Sequence, residues 1–529
     1  MPAIITDQYR ILNAQTFVDS FVGIGTSGNN NYYTFLAHPN PQNINIKNYG
    51  DPNWGSETPA PVDSFAQESF YYDSMLFLKK ITPNDVRIVV PRVDWQSGTV
   101  YEMYRNNYSA KNSYTDKNLT PNSSSTSLYG STYYVVTSEF KVYLCINNGT
   151  NSTNSSGQKS LFEPTHTNNS PQVAGNGSDG YLWKYLYSIT PSDIVKFATT
   201  KFIPLPQKWG DASTSSVKNA AVDGKIETVV VTNSGSGVEV DGALNGTIAN
   251  IPIVGDGNGG TITINVAGGS VESVESVVGG TGFTYASVRF ETGTYGGKSL
   301  NAGSGVNFEV VIPPKGGHGA DIYRELGGLR VMVYSKYDNN VDDAPDYVIG
   351  NDFSRVGIVK NPLQFSGTDL LNNTTATNLS ALKLKSTGST ALSDITYTTN
   401  SLITQTVGLG STAVGYVASW DSDTGVLRYY QPVGFSTLSQ YSYKKLDFVG
   451  QNIVITGGNP ENATVDTSFN GDSVTISTGK NQSLGQTFVS GKANPDVKKY
   501  SGDIIYVDNR APVTRTPSQK EEVKIVIEF

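Results

Sequence analysis

The apolar residues of this chain come in short runs, and glycine, asparagine or serine breaks each run within a few residues. Such a pattern suits short strands joined by many turns. Gly, Asn and Ser supply turn conformations, while Thr and Tyr fit a pleated, half-buried surface. The composition points the same way, with 54 glycines, 31 tyrosines and only 16% charged residues, against about 25% in ordinary domains. Hydrophobic residues make up 37% of the 529, enough for several small cores, and that length accommodates about two to four domains. The expected fold is mainly β and multi-domain, with a few short helices.

Charge and cysteine usage narrow the function classes. The net charge is −8 with a pI near 5.1, and no run of Lys or Arg offers the basic patch that phosphate neutralisation needs, so nucleic acid is not an expected partner. The single cysteine, Cys145, excludes an internal disulfide and a cysteine-clustered zinc site. Lying in the apolar run VYLC, it reads as a small buried residue rather than a nucleophile. The opening MPAIITDQYR has no secretory pattern, and no run of about eighteen apolar residues predicts membrane insertion. The Asn-x-Ser/Thr triplets at Asn118, Asn148, Asn151 and Asn176 then read as parts of polar loops.

Along the chain, Ile11, Ala14, Val18 and Phe21 recur at helical spacing after Thr6 and predict a helix with one buried stripe. A second helix is expected from Ser64, with Ser64 and Gln67 as a capping box and Phe65, Tyr72 and Leu76 on it; Pro83 marks its far side. VRIVV at 86–90 reads as a strand, residues 101–131 as a surface excursion, 133–146 as two strands and 147–160 as a mobile loop. DGYLWKYLYSI at 179–189 reads as an aromatic strand, followed by Thr190-Pro191-Ser192-Asp193 as a helix start. Residues 202–209, with two prolines, look extended. From 211 to about 313 the chain is dense in glycine. There IETVVVTNSGSG from Ile226 aligns without gaps on VESVESVVGGTG from Val271, which predicts a small β-sandwich built by duplication. Residues 315–328 predict a short helix capped by Gly327, 329–334 and 353–363 predict strands, and 365–489 form a second Gly/Ser/Thr-rich island. Val523, Ile525, Ile527 and Phe529 alternate with polar residues as a strand with one buried face.

Candidate chemistry is sparse. The string from Gly23 to Gly28 has the spacing of a dinucleotide fingerprint, but a helix precedes it where a strand is required. Asp421-Ser422-Asp423-Thr424-Gly425 resembles part of a calcium loop, yet it lacks the later bidentate acid and sits between strand-like segments, so a hairpin turn is expected. Asp342, Asp343 and Asp346 form a similar acidic loop around Pro345. His38, His166 and His318 have no metal spacing. His318 with Glu325 has the form of a base with an orienting acid, but flanking glycines make His318 a turn residue. No pair of acids stands out for glycoside cleavage, and no catalytic residue, metal or cofactor is expected.

Five segments carry a family resemblance: VRIVVPRVDW (86–95), SDGYLWKYLYSITPSD (178–193), FSRVGIVKNPL (353–363), SGDIIYVDNRAPV (501–513) and KEEVKIVIEF (520–529). In this order they resemble the baseplate wedge protein of T-even-type myophages, the product of gene eight, and especially its enlarged versions in cyanophages. The resemblance implies a discontinuous family core at 1–210, 316–364 and 493–529, interrupted by inserted β domains at 211–315 and 365–492. It also implies a β-sandwich homodimer in the tail baseplate of the virion, assembled in the host cytoplasm. This dimer would contact other wedge subunits, including those bearing short tail fibres, and help transmit the contraction signal; no enzymatic activity is implied. Asp94, Trp95, Trp183, Asn509 and Arg510 are the expected anchors, placed either at an interface or in the core. A tail-fibre or receptor-binding protein is the first rival reading and a polysaccharide hydrolase the second.

Overall fold

Alternating aromatic and β-branched residues give strands almost wherever the sequence predicts them. The computed structural model describes residues 4–22, 30–38, 60–61, 63–108, 127–338, 352–431, 446–449, 455–514 and 519–529. The fold is mainly β, with many antiparallel sheets and short helices. The glycine string at 23–28, the acidic loop at 342–346 and the Asn118 triplet lie outside the described residues.

The chain forms two compact units. The first comprises 1–16, 87–332 and 526–529, the second 17–86 and 333–525. In the first unit, Tyr134–Val136, Lys141–Asn148, Tyr181–Ser188 and Gln172–Val173 form a four-stranded sheet in that order. Its inner residues Tyr143, Leu144, Cys145, Tyr181, Trp183 and Leu186 are all buried. Thr190 caps the helix Pro191–Phe197 by accepting from the Asp193 amide, with Pro191 at the first turn.

The glycine-dense stretch has a core of its own, in which Ile248, Ile251, Ile262, Ile264 and Val271 meet Ile226, Val229, Val231 and Phe283. Its two repeat copies are equivalent in detail. In one, Ser304 lies opposite Ser236 and Val306 opposite Ser234; in the other, Asn258 lies opposite Thr281 and Gly260 opposite Gly279. Between those pairs Gly235 meets Gly305 and Gly280 meets Gly259, and all four have positive φ, from 60° to 76°. Each strand therefore turns at the same place, where a side chain on Gly235 or Gly280 would collide with the facing strand.

In the second unit a five-stranded sheet runs Thr375–Thr377, Met75–Lys80, Tyr32–Ala37, Asp352–Lys360, Asp503–Thr514. Two further cores follow, one built on Leu382, Leu384, Ile403, Val417, Leu427 and Phe448, the other on Ala381, Val426, Leu484 and Phe488. The hairpin at Asp421 forms as predicted: its carboxylate accepts from the Asp423 and Thr424 amides at 3.0 and 3.4 Å and from the Thr424 hydroxyl at 2.8 Å.

Several local expectations are corrected. The helix Asp7–Val22 buries Ile11, Ala14, Val18 and Phe21 as expected, but the helix from Ser64 differs. It ends at Ser74, Ser64 makes no side-chain cap, Phe65 is 95% exposed, and Leu76 belongs to the strand Met75–Lys80. The capping box forms instead at Thr82 and Asp85, ahead of the strand Val86–Pro91. Tyr101 to Arg105 are buried, not a surface excursion, because the Tyr104 amide bonds the Cys145 carbonyl and the Asn148 amide group bonds the Tyr101 carbonyl. The run expected as a mobile loop, 147–160, is pinned by side-chain turns. Asn148 and Asn151 accept from the amides of Thr150 and Thr153, and Ser160 is fully buried.

Candidate interaction surface

The predicted anchors divide between core and surface. In the first unit the 91–95 corner is tied to the sheet by two backbone bonds, Trp95 N–H to the Val136 carbonyl at 2.9 Å and Val136 N–H to the Val93 carbonyl at 2.8 Å. Trp95 is half-buried, and its indole N–H donates to the Ser160 hydroxyl at 2.9 Å. Asp94 points to solvent and pairs with Arg92 at 2.8 Å. Trp183 is fully buried and stacks on Tyr181 with ring centroids 5.2 Å apart. It is a core residue.

In the second unit Asn509 is buried and accepts from the Arg355 guanidinium at 2.9 Å. Arg355 is also fully buried, donates to the Ser74 hydroxyl at 2.6 Å and lies over the Tyr71 ring at 5.1 Å. The neighbouring Arg510 is exposed and pairs with Asp508 at 2.7 Å. Asn509 thus orients a buried cation, while Arg510 lies at the surface.

His318 lies in a turn, as its flanking glycines imply, and is also buried against Glu325. Its Nδ1 is 2.6 Å from one Glu325 oxygen, and the other oxygen accepts from the Gly319 amide at 2.6 Å. The Tyr104 ring meets the imidazole edge-on at 4.6 Å. Both carboxylate oxygens are engaged and both side chains are covered, so the arrangement closes a turn rather than opening a reactive face. Burial raises the Cys145 thiol well above its ordinary range, with Asp179 adding to the effect, which suits an inert core residue. Among the described residues no group of three or more His, Cys, Asp or Glu is placed to hold a metal ion, and no helix is long and apolar enough to cross a membrane.

Sequence periodicity missed the exposed apolar residues at the start of the first helix. Ile4, Ile5, Tyr9 and Leu12 are 88%, 68%, 56% and 56% exposed. Tyr9 and Leu12, three apart on the helix Asp7–Val22, lie on the side away from Ile11 and Ala14, and Ile4 and Ile5 precede the helix. A lone Leu409, flanked by glycines at the tip of the hairpin between Leu402–Gly408 and Ser411–Asp421, is likewise fully exposed. Large apolar side chains grouped in solvent mark interaction sites in soluble proteins.

Comparison with known proteins agrees with a structural role. A search of curated proteins finds no match. Residues 3–216 match the family described as Phage-Gp8: Bacteriophage T4, Gp8, a stretch that contains the 86–95 corner, the aromatic sheet and its helix cap. Over that stretch the chain is similar to the gene-product-eight family, and the match supports a structural protein of the phage tail baseplate.

Proposed function

We propose that this chain is a dimeric scaffold of the baseplate wedge, joining other wedge subunits and coupling baseplate rearrangement to sheath contraction. The observation that carries this reading is the family match over residues 3–216. The exposure of Ile5, Tyr9 and Leu12 within that stretch supports it, because apolar side chains held in water gain by meeting a partner. Short-tail-fibre-bearing subunits are among the expected neighbours. In this reading residues 211–315 and 365–492 are β domains, built as sandwiches, inserted into a core made of 1–210, 316–364 and 493–529.

Sedimentation velocity on the purified chain at micromolar concentration tests the dimer. A dimer of defined mass is the expected result, as for an isologous subunit. A trimer sinks the wedge-scaffold reading and favours a fibre or receptor-binding protein, whereas a monomer that stays single when mixed with its wedge neighbours removes the dimer.

A further inference from the structure

The β region 226–312 joins the rest of its unit through two connectors, and the two are fastened to each other. The Trp209 indole N–H donates to the Gly319 carbonyl at 2.9 Å. The Gly316 amide donates to the Asp223 carboxylate at 2.6 Å. Gly317 lies so close to the first connector that a Cβ there would sit 2.2 Å from the Val222 carbonyl oxygen. The His318–Glu325 contact closes the second connector on itself. Neither connector reads as a free hinge.

Beyond the connectors, side chains cross from the aromatic sheet and its loops to the β region. Lys184, on the strand Tyr181–Ser188, contacts Glu227 at 3.1 Å, and the two side chains are only 3% and 8% exposed. The same ammonium also donates to the Asn169 carbonyl at 3.1 Å. The Asn147 side chain donates to the Thr228 hydroxyl at 3.0 Å, the Asn107 side chain to Glu309 at 3.1 Å, and the hydroxyls of Ser152 and Ser234 are 2.7 Å apart. These contacts reach both the first and the last strand of the region, Val229–Ser236 and Ser304–Val310, or the residues just before them. The contacts named here are polar, and the Lys184–Glu227 ion pair among them is dry.

Polar seams between parts of a chain ordinarily permit relative motion. A buried ion pair changes that, because separating its members without full hydration leaves an uncompensated charge in a poor solvent, and its geometry accepts one registration. We propose that 226–312 is a rigid arm, held in one orientation on the aromatic sheet by a polar clamp centred on Lys184 and Glu227. Such an arm passes displacement of the sheet directly to whatever binds the β region, instead of absorbing it in a linker. The inference stands apart from the dimeric scaffold reading, since it concerns contacts within one chain.

Spin labels at Leu161→Cys and Val278→Cys, both exposed in the native chain, test it by dipolar distance measurement; buried Cys145 stays unlabelled. The expected result is one narrow distance distribution for the otherwise native protein. Lys184→Met, which keeps the aliphatic stem, should broaden it several-fold while amide protection at Ile251, Ile262 and Ile264 stays native. A broad distribution before any change at Lys184 overturns the rigid arm. A narrow one in folded Lys184→Met overturns the assignment of the clamp to this ion pair. Should Lys184→Met fail to fold, Glu227→Gln is read by the same criterion.

Discussion

At the residue scale, the anchors separate into side chains that hold the fold and side chains that meet solvent, and stability measurements distinguish them. Trp183→Ala should cost about 3–5 kcal/mol in denaturant unfolding, because the cavity left in the aromatic sheet cannot collapse. Asp94→Ala and Arg510→Ala should each change stability by less than about 0.5 kcal/mol, since both lie at the surface in exposed pairs. An effect of either on assembly would then be an effect on contact. His166 offers a pH readout. Its Nδ1 accepts from the Asn168 amide at 3.3 Å while its Nε2 lies 3.2 Å from the Trp183 carbonyl, an arrangement that needs the neutral ring. Burial holds its pKa below the ordinary 6.5. The unfolded chain therefore takes up this proton first as pH falls. Its stabilisation is complete above 6.5 and declines as pH drops toward the folded value. The difference in unfolding free energy between the native chain and His166→Gln should shrink over that window; a difference constant with pH would refute the assignment.

At the scale of elements, glycine placement governs the strands more than side-chain pairing does. Gly280 has φ of 60°, and a Cβ there would lie 2.3 Å from the Asn258 carbonyl oxygen; Gly235 has φ of 63° and would meet the Ser304 carbonyl oxygen at 2.6 Å. Alanine at either position should cost about 2 kcal/mol or more, from left-handed backbone strain and the clash together. The two losses should be similar, because the repeat places both glycines in the same register. Thermal unfolding of the two variants checks this. The Asp421 turn gives a second test. Asp421→Ala should lower stability by about 1 kcal/mol through the lost turn bonds. Added calcium should leave the melting temperature of the native chain unchanged, and a rise that Asp421→Ala abolishes would make the turn a cation site.

At the scale of the whole molecule, the exposed apolar residues at and just before the start of the first helix are a feature that folding leaves unused. The triple change Ile5→Ser, Tyr9→Ser and Leu12→Ser should leave the unfolding midpoint nearly unaltered, since these residues bury little surface within the chain. Self-association or binding to wedge neighbours should weaken at least tenfold in sedimentation. Loss of folding instead would show that these side chains pack against the chain's own residues. The buried Arg355, held by Asn509, Ser74 and Tyr71, belongs to the same scale, because it joins residues far apart in sequence.

Most of the strands were legible from the chain alone. The alternation of VYLC and YLWKYLY, the cap at Thr190-Pro191 and the glycine-marked repeat are local signals with local physical causes. The inner stripe of the first helix was equally plain. Tertiary structure decided what no short window contains. It buried 101–105 under the aromatic sheet because their backbone bonds are satisfied by residues more than forty positions away. It turned Leu76 into a strand residue by offering Leu36 and its neighbours as ladder partners, overriding helical spacing. It also sorted the five anchors, sending Trp183 and Asn509 inward and Asp94 and Arg510 outward and leaving Trp95 half-buried, since burial depends on which distant elements arrive to cover a side chain.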